Sequence, residues 1–187
     1  MLLREGADFD VARKLRAGTA TIGEIYSFIS GLYFRGKATY AEAFREGAPA
    51  GVPPVLVMVP GAGLVPPETV IDADQLCATA DIDVDELNAA FREPLVQAAK
   101  LVDEHAGGAC SYVLLGSVAS GKYTNPLLEI FGERLLFPAD FVGRGDMSRG
   151  GLLLRQARAG IELAYVPVRG AHLRGARPPR LEKWRRQ

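Results

Sequence analysis

Apolar positions along the chain change their period as it proceeds. Over residues 8–46 they recur every three or four residues, the spacing of one helical face. Asp8 can cap a short helix carrying Phe9, Val11, Ala12 and Leu15 that stops near Gly18. Thr21 followed by Glu24 is a capping box, and Ile22, Ile25, Tyr26, Phe28, Ile29, Leu32 and Tyr33 form the stripe of the helix it opens. Arg35-Gly36-Lys37 predicts a break, with a further helix over residues 38–45.

Past the turn-rich residues 48–54 the helical period is lost. Val55-Leu56-Val57-Met58-Val59 is an unbroken apolar run between prolines and glycines, the pattern of a strand covered on both faces, as in a parallel sheet. Ser111-Tyr112-Val113-Leu114-Leu115 repeats that pattern, and Arg134-Leu135-Leu136-Phe137 and residues 161–168 are weaker strands. Helices are predicted over residues 72–80, 85–106, 123–131 and 151–159, with Pro94 kinking or splitting the second. The alternation predicts a single α/β domain over residues 1–187, with right-handed crossovers. Its expected form is a three-layer α/β/α fold with a short, mostly parallel sheet of about four strands. A helical segment, residues 1–47, packs on one face, and residues 170–187 form an irregular basic tail.

Composition narrows this picture. With 187 residues, 48% hydrophobic and 24% charged, the chain suits one globular domain and not a disordered one. Equal numbers of acids and bases exclude a surface built as a whole to hold nucleic acid. Cys77 and Cys110 have no Cys-x-x-Cys spacing and are expected to be buried thiols of a reducing compartment. With only His105 and His172 to help them, no metal and no cofactor is expected. The start, Met-Leu-Leu-Arg-Glu-Gly, is charged too early for a signal peptide, and the longest apolar run contains Pro53 and Pro54. A cytoplasmic location without a membrane partner is therefore expected. The aromatic stripe over residues 22–34 is apolar enough to serve as a homodimer face.

Three glycine-rich loops carry the candidate chemistry. Gly116-Ser117-Val118-Ala119-Ser120-Gly121-Lys122 follows a strand and precedes a helix, the setting of a phosphate-cradling P-loop. The hydroxyl residue expected next is Tyr123, Thr124 is displaced by one position, and Asp140 is a poor Walker B acid. A strand-to-helix turn facing a ligand through Gly116, Ser117 and Lys122 is favoured over a degenerate P-loop NTPase. Pro60-Gly61-Ala62-Gly63 opens as Gly-x-Gly, yet the third glycine of a dinucleotide fingerprint would fall at Pro66. Gly61 and Gly63 remain candidates, because ligands bind at loops beyond the carboxyl ends of parallel strands. In the third loop, residues 141–151, Arg144, Ser148 and Arg149 suit an anion at a helix N-terminus. Asp146 is the carboxylate best placed for acid–base or water-positioning work, and a capping role explains it equally well. All three loops are expected to meet at one end of the sheet.

Two of these junctions resemble a known group. Val57-Met58-Val59-Pro60-Gly61-Ala62 is similar to the Pro-Gly-Ala turn of the uracil-DNA glycosylase superfamily, and Leu114-Leu115-Gly116-Ser117-Val118-Ala119 to its Leu-Gly-x-x-Ala turn. Gly63-Leu64-Val65-Pro66-Pro67 resembles a loop of small bacterial proteins related to that superfamily. The resemblance implies a layered α/β/α fold whose loops face a nucleobase or nucleotide. The expected function is a small enzyme or binding protein for a nucleotide, nucleobase or other phosphate-bearing ligand. An alternative is a non-catalytic module that touches nucleic acid or an acidic partner through Arg169, His172, Arg174, Arg177, Arg180, Lys183, Arg185 and Arg186, with Trp184 among them.

Overall fold

Short strands alternate with helices of 7 to 17 residues in the computed structural model, which describes residues 2–4, 6–179 and 181. Helix α1 (Asp10–Arg16) buries Ala12 and Leu15, and the two-residue strand β1 (Ala20–Thr21) follows. Helix α2 (Ile22–Ile29) opens on the expected capping box. Thr21 Oγ1 accepts from the Glu24 amide at 3.2 Å, and the Glu24 carboxylate accepts from the Thr21 amide at 3.0 Å. Ile22 and Ile25 point inward, while Phe28 and Ile29 stay exposed.

The helix break falls at Ser30 and not at Gly36. Gly31 takes a φ of 56°, and helix α3 (Gly31–Ala43) then runs straight through Arg35-Gly36-Lys37. Gly36 is there for packing. The backbone of Gly150 lies so close that a Cβ at Gly36 would sit 2.6 Å from the Gly150 carbonyl oxygen.

Strand β2 (Val57–Val59) is where the expectation of a mostly parallel sheet fails. It pairs antiparallel with β3 (Gly63–Val65), Val57 opposite Val65 and Val59 opposite Gly63. Gly61 and Gly63 take φ values of 78° and 79°, so the chain doubles back at once. Closing so short a loop costs little entropy, and the local hairpin wins over a distant parallel partner. Strand β4 (Val70–Ile71) pairs antiparallel with β1. Helix α4 (Ala73–Ala80) starts from a second capping box, Asp72 with Gln75. Helix α5 (Ala89–His105) starts at an Asn88 cap and continues through Pro94 without splitting.

The remaining strands form one small mixed sheet. Strand β5 (Tyr112–Val113) pairs parallel with β6 (Leu135–Pro138), and helix α6 (Gly121–Phe131) makes the crossover between them. Helix α7 (Asp146–Ala159) ends at Gly160 in the left-handed conformation, and β7 (Tyr165–Pro167) then adds antiparallel to β6. The described strands thus make three small sheets with one parallel pair, in a fold of mixed helix and strand.

Buried side chains gather in two clusters that share α3. Phe34 joins the N-terminal cluster with Leu15, Ile22, Ile25, Val57 and Val59. Tyr40, two turns on, joins the larger cluster with Phe91, Leu95, Leu127, Phe137 and Leu153. Residues 171–179 lack regular structure, as expected, yet they are not a solvated tail: Ala171 and Leu173, with Leu181, pack against the larger cluster. Arg169 lies 3.5 Å from Glu133, and Arg174 donates to the Ala119 carbonyl at 3.4 Å. Arg180, Lys183, Trp184, Arg185 and Arg186, central to the nucleic-acid alternative, fall outside the described residues. The two cysteines are free, but Cys77 is exposed and Cys110 half-buried, because neither faces a core cluster. Among the described residues no helix is long and apolar enough to cross a membrane.

Candidate functional site

A cavity of about 1100 Å³ opens between α2, α3, the segment leading into β2, β5 and the N-terminal turn of α6. That is slightly above the usual range of about 300–1,000 Å³ for small-molecule sites and roomy enough for a nucleotide. Its α3 wall is a helical stripe, Tyr33, Lys37 and Tyr40, spaced four and three residues apart, with Phe44 just past the helix end. Tyr26 and Phe34 extend this aromatic lining, and Tyr123 faces it from α6.

Lys37 is the odd member of that stripe. Its Nζ lies 4.4 Å from the Tyr33 ring centroid and 5.5 Å from that of Phe34, contacts a cation makes with ring faces. Among the described residues its amine has no hydrogen bond and no ion pair. Burial holds it below the ordinary lysine value, and the field of Asp146 acts the other way. Burial also raises Tyr26 and Tyr33, keeping both phenols neutral. The Tyr33 hydroxyl donates to the Leu115 carbonyl at 3.2 Å, tying α3 to the start of the Gly116 loop. At the far end, the Tyr40 and Tyr165 hydroxyls share a hydrogen bond of 2.7 Å, and the Leu163 amide donates to Tyr40 at 2.8 Å.

The Gly116–Lys122 loop enters the cavity wall through Gly116, Ser117, Ser120 and Lys122. Val118, fully buried in the larger cluster, pins the loop down. Ser120 caps α6 with extended backbone but without a side-chain bond to it. The Ser120 hydroxyl is shielded from solvent and has no hydrogen-bond partner among the described residues. Lys122 extends its amine to 5.1 Å from the Tyr123 ring centroid and is likewise without a hydrogen bond or ion pair there. Thr124, the displaced hydroxyl of the P-loop comparison, is buried and donates to the Ser120 carbonyl at 3.3 Å. Its hydroxyl is therefore already engaged and is not offered to a magnesium ion as a P-loop requires.

The three glycine-rich loops meet here only in part. Pro60 brings the first to the cavity, but Gly61 and Gly63 do not line it. Gly61 makes room for the Ile82 side chain, and Gly63 lets β3 lie against the Pro94 carbonyl of α5. From the third loop only Asp146 reaches the wall. Arg144 is turned back on its own loop, donating to the Asp140 carbonyl at 3.0 Å and to Ser148 Oγ at 3.3 Å. Arg149 is buried and donates twice to the Phe141 carbonyl, at 3.3 and 3.2 Å, with Asp146 3.6 Å from its Nη1. Arg144, Ser148 and Arg149 thus fasten the loop to α7 and stand off the cavity wall. Their sequence context signalled cations correctly but not which backbone oxygens those cations would satisfy.

Sequence reasoning missed Lys37, Tyr33, Ser120 and Tyr123. A signal for the first two existed: one lysine inside an aromatic stripe at helical spacing. Reading Gly36 as a helix break hid it. Among the described residues no group of three or more His, Cys, Asp or Glu side chains is placed to hold a metal. Compared with protein-family models, curated proteins and solved structures, the chain has no significant match.

Proposed function

We propose that the chain binds a small anionic ligand with a planar ring, of the nucleotide class, in this cavity, as a binding protein or a small enzyme. One observation carries the reading: two lysine amines, Lys37 and Lys122, line one aromatic cavity, and neither has a carboxylate partner among the described residues. A cation without its own counter-ion, set among aromatic walls, favours an anionic ligand. The start of α6, whose first turn holds no acidic residue, adds backbone amides and a favourable dipole beside Ser120. The rings of Tyr26, Tyr33 and Tyr123 offer faces for a base to stack on.

The likeness of the Pro60-Gly61-Ala62 and Leu115-Gly116 turns to the uracil-DNA glycosylase superfamily agrees with this ligand class. The reading does not need the four-strand layered sheet that accompanied that likeness. Asp146 is retained as the cavity's candidate acid–base carboxylate, at the first turn of α7. Arg149 Nη1 lies 3.6 Å from it.

Thermal unfolding measured with uridine and adenosine 5′-monophosphates, the free nucleosides and inorganic phosphate tests the reading. A nucleotide present at 100 times its dissociation constant stabilises by about 2.7 kcal/mol. Nucleotides are expected to raise the midpoint, with nucleoside or phosphate alone giving less. Lys122→Ala, losing a charge-assisted contact of about 1.5–3 kcal/mol, should weaken binding roughly 10- to 100-fold. Absence of saturable binding by all of these probes removes the reading.

A further inference from the structure

We infer that Lys37 is a carbonyl-capturing residue: its Nζ forms an imine with the aldehyde or ketone group of a small conjugated carbonyl compound that enters the cavity. The geometry sets Lys37 apart from an ordinary surface lysine. Lys14 shows the ordinary case. Its amine lies 2.5 Å from Glu24 and 3.4 Å from Asp10, and Glu24 holds it above the usual value. Lys37 has no such carboxylate. Tyr33 and Phe34 on α3 stand against it and Asp146 acts on it from α7, while Arg149 faces its neighbour Tyr33. Asp146 lies 3.6 Å from Arg149 Nη1 and makes no ion pair with Lys37, and burial outweighs its field at the amine. A half-buried amine with burial acting against its charge spends more time as the free base, which is the nucleophile.

Position is fixed as well as chemistry. Gly36, the residue before Lys37, is locked against the Gly150 backbone, and Tyr33, one turn back, is bonded to the Leu115 carbonyl. The stem of Lys37 therefore starts from rigid backbone and ends among rings in the cavity. The step balances without an oxidant or reductant. Lys37 loses a proton and adds to the carbonyl carbon, forming the C–N bond. The carbonyl oxygen takes up protons, including one released by the nitrogen, and leaves as water, giving a C=N bond. A conjugated carbonyl compound matches the aromatic walls. A phosphate on it would reach toward Lys122 and the start of α6, and only this last feature rests on the ligand class proposed above.

The full chain incubated with pyridoxal 5′-phosphate, or with pyridoxal as the phosphate-free probe, then reduced with borohydride and mapped by peptide mass spectrometry, tests the inference. Label is expected to concentrate at Lys37, the amine set among the Tyr33 and Phe34 rings without an ion pair, with Lys14, Lys100 and Lys122 labelled less. Lys37→Arg, with its fold checked by circular dichroism, should lose that label. Label spread evenly over lysines, or on Lys122 with Lys37 untouched, overturns the inference even where nucleotides bind and stabilise. Lys37 labelled equally by both probes, with no protection by nucleotide, upholds the amine and overturns the nucleotide reading.

Discussion

Two lysines mark the difference between a charge that supports the fold and one held against it. Lys14 has a side chain 40% exposed and is paired with carboxylates on two sides. Lys37 is half-buried and faces rings, and its ordinary value of 10.5 is lowered chiefly by desolvation. A base whose folded value is depressed binds fewer protons in the folded state. Stability then rises with pH between the depressed value and 10.5, and the full cost of the charge is felt below that window. Lys37→Met keeps the unbranched stem and removes the charge. It is expected to raise stability by about 0.5–1 kcal/mol near neutrality, ring contacts and partial solvation having offset part of the cost. The gain should fade as pH approaches 10.5. Urea unfolding across that range checks it, and a variant less stable than the parent at neutral pH would show that the ring contacts outweigh desolvation.

At the scale of elements, the crossing of α3 over α7 decides where the cavity wall stands. A Cβ at Gly36 would lie 2.6 Å from the Gly150 oxygen, and one at Gly150 would lie 2.8 Å from the Leu32 oxygen. Both obstacles are backbone, which cannot swing aside as a flexible side chain can. Helix propensity and packing therefore predict opposite signs for Gly36→Ala. Propensity alone favours alanine by about 1 kcal/mol. Overpacking against a fixed backbone costs about 1–3 kcal/mol, and the separation here is shorter than real Cβ contacts allow. Net destabilisation is expected, along with weaker nucleotide binding as the Tyr33–Lys37 face moves. An unfolding midpoint at or above that of the parent would mean the crossing is looser than it looks. Local signals were legible where they were local: the Thr21–Glu24 box, the helix after Asp72, and the end of α7 at Ala159. Gly36 was misread because its reason lies 114 residues away, at Gly150.

For the whole molecule, the same contrast explains the sheets. The runs at Val55–Val59 and Ser111–Leu115 look alike in sequence, yet one hairpins onto Gly63–Val65 and the other pairs parallel with β6 across α6. The turn after Val59, with two glycines at positive φ, makes the difference. Nor does composition reveal what the chain past Gly170 does, since its many arginines suggest solvent. Leu173 and Leu181 nevertheless cover the larger core, Gly143 accommodates the Ala176 carbonyl, and Val142 fits against Gly175. Arg174 also reaches the Ala119 carbonyl, inside the Gly116–Lys122 loop that lines the cavity. A chain ending at Gly170 thus loses two half-buried leucines and a tether on that loop. It is expected to be less stable by about 2 kcal/mol, the scale of one fully buried leucine. Its nucleotide affinity should also fall, because Ser117 and Lys122 are less firmly held. A chain ending at Leu181 keeps every contact named here and should unfold later and bind nucleotide better than the shorter chain. Chemical unfolding and nucleotide titration of the two truncations separate the roles. If the shorter chain unfolds earlier yet binds as well as the longer, the segment covers the core without supporting the cavity.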